Sequence, residues 1–372
     1  MSTAGYRAWA EVDTGAVRHN LALIRKRVGD TPVMAVLKAN AYGHGAVAVA
    51  RMLVQQGISA LGVGDSGEAL ELRDAGIKAP ILIVGGVIPG EMPRVVQGDI
   101  EVNLHTAEMA QELNAEAQRQ GRTVRVHLKV DTGMGRLGMQ PFEAVPFLHN
   151  LRKLKNLQLV GMCTHFSTPN EPSEAFTTRQ LEHFNLAVEV ARRLGYANLV
   201  LHASSSLAFF GRKDALFNMV RTGIALWGHL PGDLGGHEAR LRPALQLKTR
   251  ILFLKDVPEG TPIGYNRTWY SPAPTRIATL PIGYDDGYRT AMSNKAWVLV
   301  RGIRCPVVGR VSMDYTTVDV GQVPQAAVGD EVMLLGAQGK QVITLSEVAA
   351  WAGCIPYEFL CGLGRRVVRV YP

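Results

Sequence analysis

Short apolar runs alternate with longer amphipathic stretches through the first 228 residues of the chain. The apolar runs are continuous, which is typical of parallel strands that are buried on both faces. Between them, apolar residues recur with helical spacing. This pattern predicts eight strands, at 33–38, 58–63, 80–84, 100–104, 124–131, 157–164, 198–202 and 218–222. Helices are predicted around and between these strands, at 14–28, 46–56, 66–75, 106–120, 141–153 and 174–194.

Eight strand–helix units in this length predict an α/β fold, a TIM-like (β/α)8 barrel. The pattern changes after Gly228, where glycines and prolines punctuate shorter β-rich runs, which is typical of a small antiparallel domain. One helix is predicted near 345–351. We therefore predict a barrel at 10–236 and a C-terminal mainly-β domain at 237–372. The β-rich runs are 246–255, 275–281, 296–301, 317–320, 331–335 and 365–370.

Composition narrows the class of protein. The chain is 47% hydrophobic and 19% charged, as in soluble globular proteins. It has neither an apolar run long enough to span a bilayer nor an apolar segment of signal-peptide type at its start. The four cysteines, Cys163, Cys305, Cys354 and Cys361, form no Cys-x-x-Cys pair, so no metal site and no disulfide framework is expected. These features predict a cytoplasmic protein.

The net charge of +8 would be compatible with a protein that binds nucleic acid. The basic residues are dispersed, however, and the short clusters at 25–27 and 152–155 lie in predicted helices, where solvated faces explain them. No nucleic-acid or membrane partner is expected. An anionic small molecule would also suit the sign of the charge.

The stretch from Val33 to Gly45 carries the sharpest chemical signal. An apolar strand ends in Lys38, and glycines follow at 43 and 45. The carboxyl ends of parallel strands are where active sites form, and Schiff-base chemistry needs a lysine that can be neutral. Strand position alone favours the alternative, a lysine that simply extends its ammonium into solvent.

Other polar residues stand at the same ends of the predicted strands, which favours a site at this rim of the barrel. Hydroxyl groups and backbone N–H groups after the seventh and eighth strands are typical of a phosphate site. Each residue alone also fits an ordinary loop or a rim ion pair. The rim residues are Lys129, Asp131, Arg136, His165, His202, Ser204, Ser205, Ser206, Arg221, Gly223 and Ile224.

Three segments of the β-rich region combine tyrosine or arginine with glycine. They contain Tyr265, Tyr284 and the pair Arg310 and Met313. Glycine lets backbones approach closely, so these segments could serve a site. Aromatic residues that cover turns are an equally good explanation from the residues alone.

Taken together, these segments resemble the pyridoxal-phosphate-dependent alanine racemase family of fold type III. The resemblance runs in order over nearly the whole chain, and its first segment matches the family's cofactor-lysine signature over its full length. The matching segments are 35–45, 131–138, 164–166, 218–224, 283–287, 309–314 and 355–358.

The resemblance implies that pyridoxal 5'-phosphate is held covalently by Lys38. It implies that Arg221 faces the pyridine nitrogen. The phosphate would be bound by residues from both predicted domains, namely Tyr42, Ser206, Gly223, Ile224 and Tyr357.

The resemblance further implies a head-to-tail homodimer with shared sites, in which the N-terminal strand, residues 1–9, packs with the β domain. Tyr265 would come from the partner subunit and be oriented by His165. Arg136 and the backbone of Met313, the latter also from the partner, would hold the substrate carboxylate. Tyr284 and Arg310 would shape the access corridor.

The implied reaction interconverts L-alanine and D-alanine, supplying D-alanine for peptidoglycan. Racemisation needs a base on each face of the substrate, and the resemblance assigns these roles to Lys38 and Tyr265. A phenol is a poor base at its usual pKa of about 10, so Tyr265 needs help from His165 and Arg221.

Lys129 is predicted to be carbamylated. His127, Lys129 and Asp131 alternate along one strand and share its face, where a free ammonium would be costly beside Arg136. The resemblance implies the same modification. An ion pair between Lys129 and Asp131 is the alternative.

Rival functions stay open. A broader amino-acid racemase, acting for example on serine, is the nearest. A fold-type III decarboxylase would usually place a carboxylate at the ring nitrogen, where this sequence offers Arg221. A non-catalytic pyridoxal-phosphate carrier would lack the region after residue 237.

Overall fold

The computed structural model describes residues 3, 5–168, 175–230 and 240–372. The chain divides into two compact units. The barrel unit comprises residues 15–41 and 45–242, and the C-terminal unit comprises residues 1–14, 42–44 and 243–372. Strand β1 (Ala8–Val12) is part of the C-terminal unit and is described with it.

Eight parallel strands form the sheet of the barrel unit, in the order β8-β7-β6-β5-β4-β3-β2-β9. The backbone N–H groups of Met219 and Arg221 donate to the carbonyls of Leu201 and Ser204 at 3.2 and 3.0 Å, which brings the two ends of the sheet together. The barrel is thus nearly closed, and the predicted fold class is confirmed. The strands are β2 (Val33–Val36), β3 (Ala60–Val63), β4 (Ile81–Ile83), β5 (Glu101–Leu104), β6 (Val124–Lys129), β7 (Leu157–Cys163), β8 (Val200–His202) and β9 (Val220–Thr222).

Helices connect most of these strands, because their apolar stripes cover a sheet whose residues are buried on both faces. Side chains at two N-caps accept backbone N–H groups, Asp65 from Glu68 and Thr106 from Met109. The helices are α1 (Thr14–Val28), α2 (Ala46–Gln55), α3 (Ser66–Asp74), α4 (Met92–Gln97), α5 (Ala107–Arg119), α6 (Pro141–Leu151), α7 (Ala175–Arg193) and α8 (Ser206–Gly211).

A left-handed turn follows β2. Ala39, Asn40, Ala41 and Tyr42 all have φ of 53°. Each L-residue in this conformation costs about 1–2 kcal/mol, so four in succession are strained. Such strain concentrates at functional sites. The sequence pattern did not predict this turn.

The C-terminal unit contains a large mixed sheet in the order β16-β15-β18-β10-β1-β20, with β19 paired to β18. A three-stranded sheet, β11-β14-β17, and a short hairpin, β12-β13, complete it. Its strands after β1 are β10 (Leu245–Arg250), β11 (Phe253–Val257), β12 (Pro262–Ile263), β13 (Trp269–Tyr270), β14 (Thr275–Leu280), β15 (Trp297–Val300), β16 (Ile303–Pro306), β17 (Thr316–Asp319), β18 (Glu331–Gln338), β19 (Gln341–Ile343) and β20 (Val368–Val370). Its helices are α9 (Leu345–Ala352) and α10 (Pro356–Cys361).

Two boundaries differ from the sequence-based expectation. The run 246–255 is two strands, because the chain passes from the large sheet to the three-stranded sheet between Arg250 and Phe253. Strand β1 pairs with β10 and β20, so residues 10–12, expected in the barrel, lie in the large sheet of the C-terminal unit. The expected boundary at residues 236 and 237 lies outside the described residues.

Candidate active site

Lys38 lies two residues after the end of β2 and is exposed in the single chain. Gly64, which directly follows β3, lies beside Lys38. A Cβ added to Gly64 would lie 3.5 Å from the Cβ of Lys38. Glu68 of α3 accepts the backbone N–H of Ala39 at 2.5 Å and that of Gly64 at 2.7 Å. One carboxylate therefore joins the backbone that follows Lys38 to the backbone that follows β3.

Sequence reasoning missed the role of Glu68. The spacing of Asp65 and Glu68 is that of a capping box, in which the glutamate would bond the N-cap backbone. The carboxylate instead reaches the two N–H groups that precede α3 and follow Lys38. That distinction depends on the position of the neighbouring strand, which the local sequence does not contain.

Arg221, on β9, is buried and 7% exposed. Its Nη1 donates to Nδ1 and the carbonyl of His202 at 2.8 and 2.7 Å. Its Nη2 donates to Nδ1 of His165 at 3.0 Å and to the carbonyls of Thr164 and Ala203, both at 2.9 Å. Within the described ranges no hydrogen bond from Nε and no carboxylate contact is found, so Nε–H remains available to a ligand.

His165 lies after β7, in a segment that Gln180 of α7 holds in place by donating to the carbonyl of His165 at 3.3 Å. Burial, reinforced by the positive charge of Arg221, lowers the pKa of His165 to about 2. Lys129, Arg136 and Lys38 add to this positive field, so these predicted site residues of the barrel unit lie close enough to influence one ring.

The neutral ring of His165 has a defined tautomer. Guanidinium can only donate, so Nδ1 of His165 accepts from Arg221 and the ring proton is on Nε2. His165 can therefore offer one N–H to a further group. A phenolic oxygen is a suitable acceptor for it.

Lys129 ends β6 and is half-buried. Burial lowers the pKa of its amine to about 8, with Arg221 and Arg136 acting in the same direction. Among the described residues, none forms a hydrogen bond or ion pair with the amine. Oδ1 of Asp131 accepts three backbone N–H groups of the loop that follows, at 2.8–3.1 Å. The ion pair between Lys129 and Asp131, the alternative to carbamylation, is not found among the described residues. Asp131 instead shapes the loop that carries exposed Arg136.

The segments that follow β8 and β9 bring hydroxyl and amide groups close together. Ser206, the first residue of α8, accepts the N–H of Gly223 at 3.2 Å and contacts the hydroxyl of Thr222 at 3.4 Å. After Gly223 the chain forms a short 3-10 helix at Ile224–Trp227, whose first amides have no acceptor within the helix. Hydroxyl and amide groups in this arrangement fit a phosphate group. His202 and Ser204 face other protein groups instead.

In the C-terminal unit, close backbone approaches bring three segments together. A Cβ on Gly264 would lie 2.9 Å from the backbone of Arg310, and one on Gly283 would lie 2.3 Å from the carbonyl of Met313. Glycine is required at both positions, because any side chain would collide with backbone. Tyr265, Tyr284, Arg310 and Met313 are consequently presented by adjoining loops.

These loops expose large side chains. Tyr265 is 70% exposed and Met313 52% exposed, and Tyr284 is also exposed. Arg366 ties two of the loops together, with bonds to both carboxylate oxygens of Asp286 at 2.8 and 2.9 Å and to Asp314 at 2.7 Å. The exposed groups are therefore held in position rather than loosely attached.

Two residues expected at the phosphate also belong to the C-terminal unit. Tyr42 ends the left-handed turn, and Tyr357 lies in α10; both are half-buried. Gly43, the next residue, approaches the carbonyl of Leu360 in α10 so closely that a Cβ would lie 2.2 Å from it. Within the C-terminal unit, the short segment 42–44 is thus packed against the helix of Tyr357.

Across the described ranges, no helix is both long and apolar enough to cross a bilayer.

Comparison with known proteins identifies the family. The family model for the alanine racemase N-terminal domain matches residues 12–231, and that for the alanine racemase C-terminal domain matches residues 244–371. The alanine racemase of Symbiobacterium thermophilum is 44% identical over 364 residues, covering 98% of this chain and 96% of the relative. That of Geobacter sulfurreducens is 43% identical, covering 97% and 96%.

Solved structures agree. The alanine racemase of Clostridium difficile 630 superposes with a TM-score of 0.93 at 37% identity, covering 98% of this chain and 96% of that one. The alanine racemase from Bartonella henselae with covalently bound pyridoxal phosphate superposes with a TM-score of 0.86 at 28% identity, covering 98% and 99%. With matching family models over both units and close relatives over nearly its whole length, the chain belongs to the alanine racemase family.

Proposed function

We propose that this protein interconverts L-alanine and D-alanine with pyridoxal 5'-phosphate, using Lys38 and Tyr265 of the partner subunit as the two bases. The observation that carries the proposal is Arg221. It is a buried cation held by five hydrogen bonds, with Nε–H left for a ligand and no carboxylate in contact among the described residues.

The residues present fit the cofactor. Lys38 stands at a strand end for a covalent link. Ser206 and Ile224 would offer a hydroxyl and an amide donor to a phosphate, and the N–H of Gly223, which here donates to Oγ of Ser206, would turn to the phosphate when it is bound. Tyr42 and Tyr357 would complete phosphate binding. When bound, the cofactor supplies an electron-withdrawing ring that makes the α-proton of the amino acid acidic.

Arg221 sets how strongly that ring would act. A guanidinium is not deprotonated in proteins, so it cannot accept a proton from the ring nitrogen, which would stay largely unprotonated. A carboxylate at this position would favour the protonated nitrogen and a stronger electron sink. Arg221 therefore favours brief abstraction and return of one proton, as racemisation requires, over decarboxylation or transamination.

The second base would be Tyr265, assisted by His165. Nε2–H of His165 can donate to the phenolic oxygen and so stabilise its ionised form. Tyr265 is 70% exposed and therefore available to a second subunit. Exposed large side chains on adjoining loops are typical of a surface that is buried on association. We accordingly propose a homodimer with shared sites.

Substrate binding follows from charge and position. Arg136, on the loop shaped by Asp131, would hold the alanine carboxylate together with the backbone N–H of Met313 from the partner subunit. Tyr284 and Arg310 would line the access corridor. A cytoplasmic role in supplying D-alanine for peptidoglycan is proposed with the reaction.

We also propose that Lys129 is carbamylated. Carbamates form from a neutral amine, and burial lowers the pKa of Lys129 to about 8. Carbon dioxide would bond to Nζ, which loses a proton, and the resulting anion would pair with Arg136. This would replace two neighbouring positive charges by an ion pair.

One experiment tests the core of the proposal. The purified protein is expected to show visible absorption from bound pyridoxal phosphate, to lose it on borohydride reduction, and to yield one labelled peptide, at Lys38. It should convert either alanine enantiomer to an equal mixture. Lys38→Ala should abolish labelling and racemisation, whereas Lys155→Ala, a solvent-side control, should change neither.

A protein that binds the cofactor at Lys38 but racemises serine as well as alanine would support a broader amino-acid racemase. Release of carbon dioxide from basic amino acids would instead support the decarboxylase alternative. A label at another lysine would contradict the proposed site.

A further inference from the structure

A line of buried polar side chains runs from Arg221 through the barrel interior to β5. Nδ1 of His202 accepts from Arg221 at 2.8 Å, and Nε2 of His202 lies 2.9 Å from Nδ1 of His127. Nε2 of His127 lies 3.2 Å from Oε2 of Glu101, whose Oε1 accepts from Arg125 at 2.9 Å. His202 is fully buried, and His127 and Glu101 are nearly so.

The direction of every hydrogen bond in this line is determined by its two ends. Arg221 can only donate, so Nδ1 of His202 must accept. Burial and the charge of Arg221 hold the pKa of His202 well below its ordinary value, so the ring is neutral and its proton is on Nε2. His202 therefore donates to Nδ1 of His127, and His127 donates from Nε2 to Glu101. Both rings have the same tautomer.

The fold makes room for this line. Gly161, on β7, is paired with His127 of β6 on one side and with Val200 of β8 on the other. A Cβ at Gly161 would lie 2.2 Å from Nδ1 of His127. Any side chain there would displace His127 from His202. The two histidines thus meet across the position where β7 has no side chain.

The charges at the two ends are opposite. Although burial opposes its ionisation, hydrogen bonds from His127 and Arg125 hold the pKa of Glu101 below its ordinary value. Each neutral imidazole places its N–H towards Glu101 and its lone pair towards Arg221. Both ring dipoles therefore favour the cation of Arg221, which has no carboxylate contact of its own within the described ranges.

We propose that Glu101 is the remote counter-ion of Arg221, and that His127 and His202 are positioning residues that connect the two through fixed tautomers. The connection keeps an acceptor in front of Nη1 of Arg221 and so holds its Nε–H in one direction. The consequence for the reaction rests on the proposed function; the tautomers themselves do not.

Glu101→Gln tests the proposal, because it removes the charge at nearly constant volume. The amide can donate to Nε2 of His127, which permits both rings to reverse their tautomers. His202 would then present Nδ1–H to Nη1 of Arg221, two donors facing each other. We expect kcat to fall about 10- to 100-fold with little change in KM, the size typical of losing an outer hydrogen-bond partner of a site. Glu112→Gln, an exposed charge on α5, is the matched control and should lie within about twofold of wild type.

A direct readout is ring-nitrogen NMR on cofactor-free protein labelled with 15N-histidine. His127 and His202, assigned by substitution, should each show an unprotonated Nδ1 and a protonated Nε2 between pH 6 and 9, and Glu101→Gln should reverse or mix these states. If Glu101→Gln does not fold, His202→Asn replaces it as the test. His202→Asn keeps an acceptor for Arg221 but breaks the link to His127, so it should show the same loss in kcat.

The outcomes separate the two proposals. Absence of racemisation by wild-type protein, with the expected tautomers present, would contradict the function alone. If the wild type is active but its two histidines have other tautomers, the role of Glu101 is overturned. The same holds if kcat is unchanged in both Glu101→Gln and His202→Asn.

Discussion

Arg221 is the residue on which the proposed chemistry depends most. A buried guanidinium is costly unless its N–H groups are satisfied, and here three carbonyls and two imidazole nitrogens satisfy them. The same contacts determine the tautomers of His165 and His202. One side chain thereby sets the proton positions of its neighbours.

Replacing Arg221 by glutamate should therefore change the reaction as well as its rate. A carboxylate would favour a protonated pyridine nitrogen, so kcat/KM for racemisation should fall on the order of 10²-fold or more, as when a positioned electrostatic group is lost. Transamination per turnover should rise, measured as pyruvate formed from alanine. Arg122→Glu, an exposed charge reversal, is the control. An unchanged ratio of the two reactions in a folded Arg221→Glu variant would show that Arg221 does not face the ring.

Lys129 leads to a prediction about pH. Its folded pKa is lowered from 10.5 to about 8, so the amine is mostly protonated below that pH and mostly neutral above it. At a fixed concentration of dissolved 13C-labelled carbon dioxide, the 13C signal of a lysine carbamate should grow as pH rises from 7 to 9. Lys129→Gln should lack the signal. A wild-type spectrum without a carbamate signal at pH 9 would leave Lys129 as an unmodified amine.

At this scale, residue type and strand position predicted most of the rim. Lys38, His165 and Arg221 could be predicted to lie at the same rim because strand ends converge at one edge of a barrel. The hydrogen-bond partners of Glu101 and Glu68 could not be predicted, because most of these bonds join groups that are far apart in sequence and become adjacent only when the barrel forms. An ion pair of Asp131 with Lys129 was the alternative to carbamylation, whereas three loop amides donate to Oδ1 of Asp131.

The elements around Lys38 combine strain with support. Four residues in left-handed conformation follow Lys38, and the carboxylate of Glu68 accepts the N–H of the first of them. Periodicity cannot predict such a turn, because no glycine occurs between residues 39 and 42 to indicate positive φ. The strands and long helices, in contrast, follow directly from apolar spacing.

Weakening this support should affect catalysis more than stability. In Glu68→Gln, one of the two backbone N–H groups would face the amide NH2, which is also a donor. Because the side chain of residue 68 is partly exposed, the free energy of unfolding should fall by only about 1 kcal/mol. Misplacement of Lys38 should lower kcat about tenfold or more, since small errors of position are costly in catalysis. The measurements are chemical denaturation and steady-state racemisation. Glu71→Gln, exposed on the same helix, is the control; equal effects of the two substitutions would remove Glu68 from the site.

For the whole molecule, the two units carry different parts of the proposed site. The barrel unit holds Lys38, His165 and Arg221, while the C-terminal unit presents Tyr265 and Met313 on exposed loops. The sequence predicted both units from their contrasting patterns. The prediction of a second subunit cannot be derived from periodicity. It comes from the family resemblance, and the exposure of these loops supports it.

Mixing two inactive variants tests the shared site. If Tyr265 acts in the partner's site, a heterodimer of Lys38→Ala and Tyr265→Phe protomers contains one site with both bases intact. Random association of equal amounts should restore roughly a quarter of wild-type activity, since half of the dimers are mixed and each has one of two sites. Heterodimers seen by native mass spectrometry without restored activity would place both bases in one subunit.

Hydrogen exchange on Tyr265→Phe tests the two-base account most directly. Enantiomers have equal free energy, so any variant must lose kcat/KM equally in both directions, and rates alone cannot assign a base to a face. In heavy water, Lys38 of this variant should still exchange the α-proton of D-alanine without inversion, because its amine exchanges with solvent. The measurement is deuterium content and configuration of each recovered enantiomer. The account predicts deuterated D-alanine and almost unlabelled L-alanine; equal labelling of both enantiomers would contradict it.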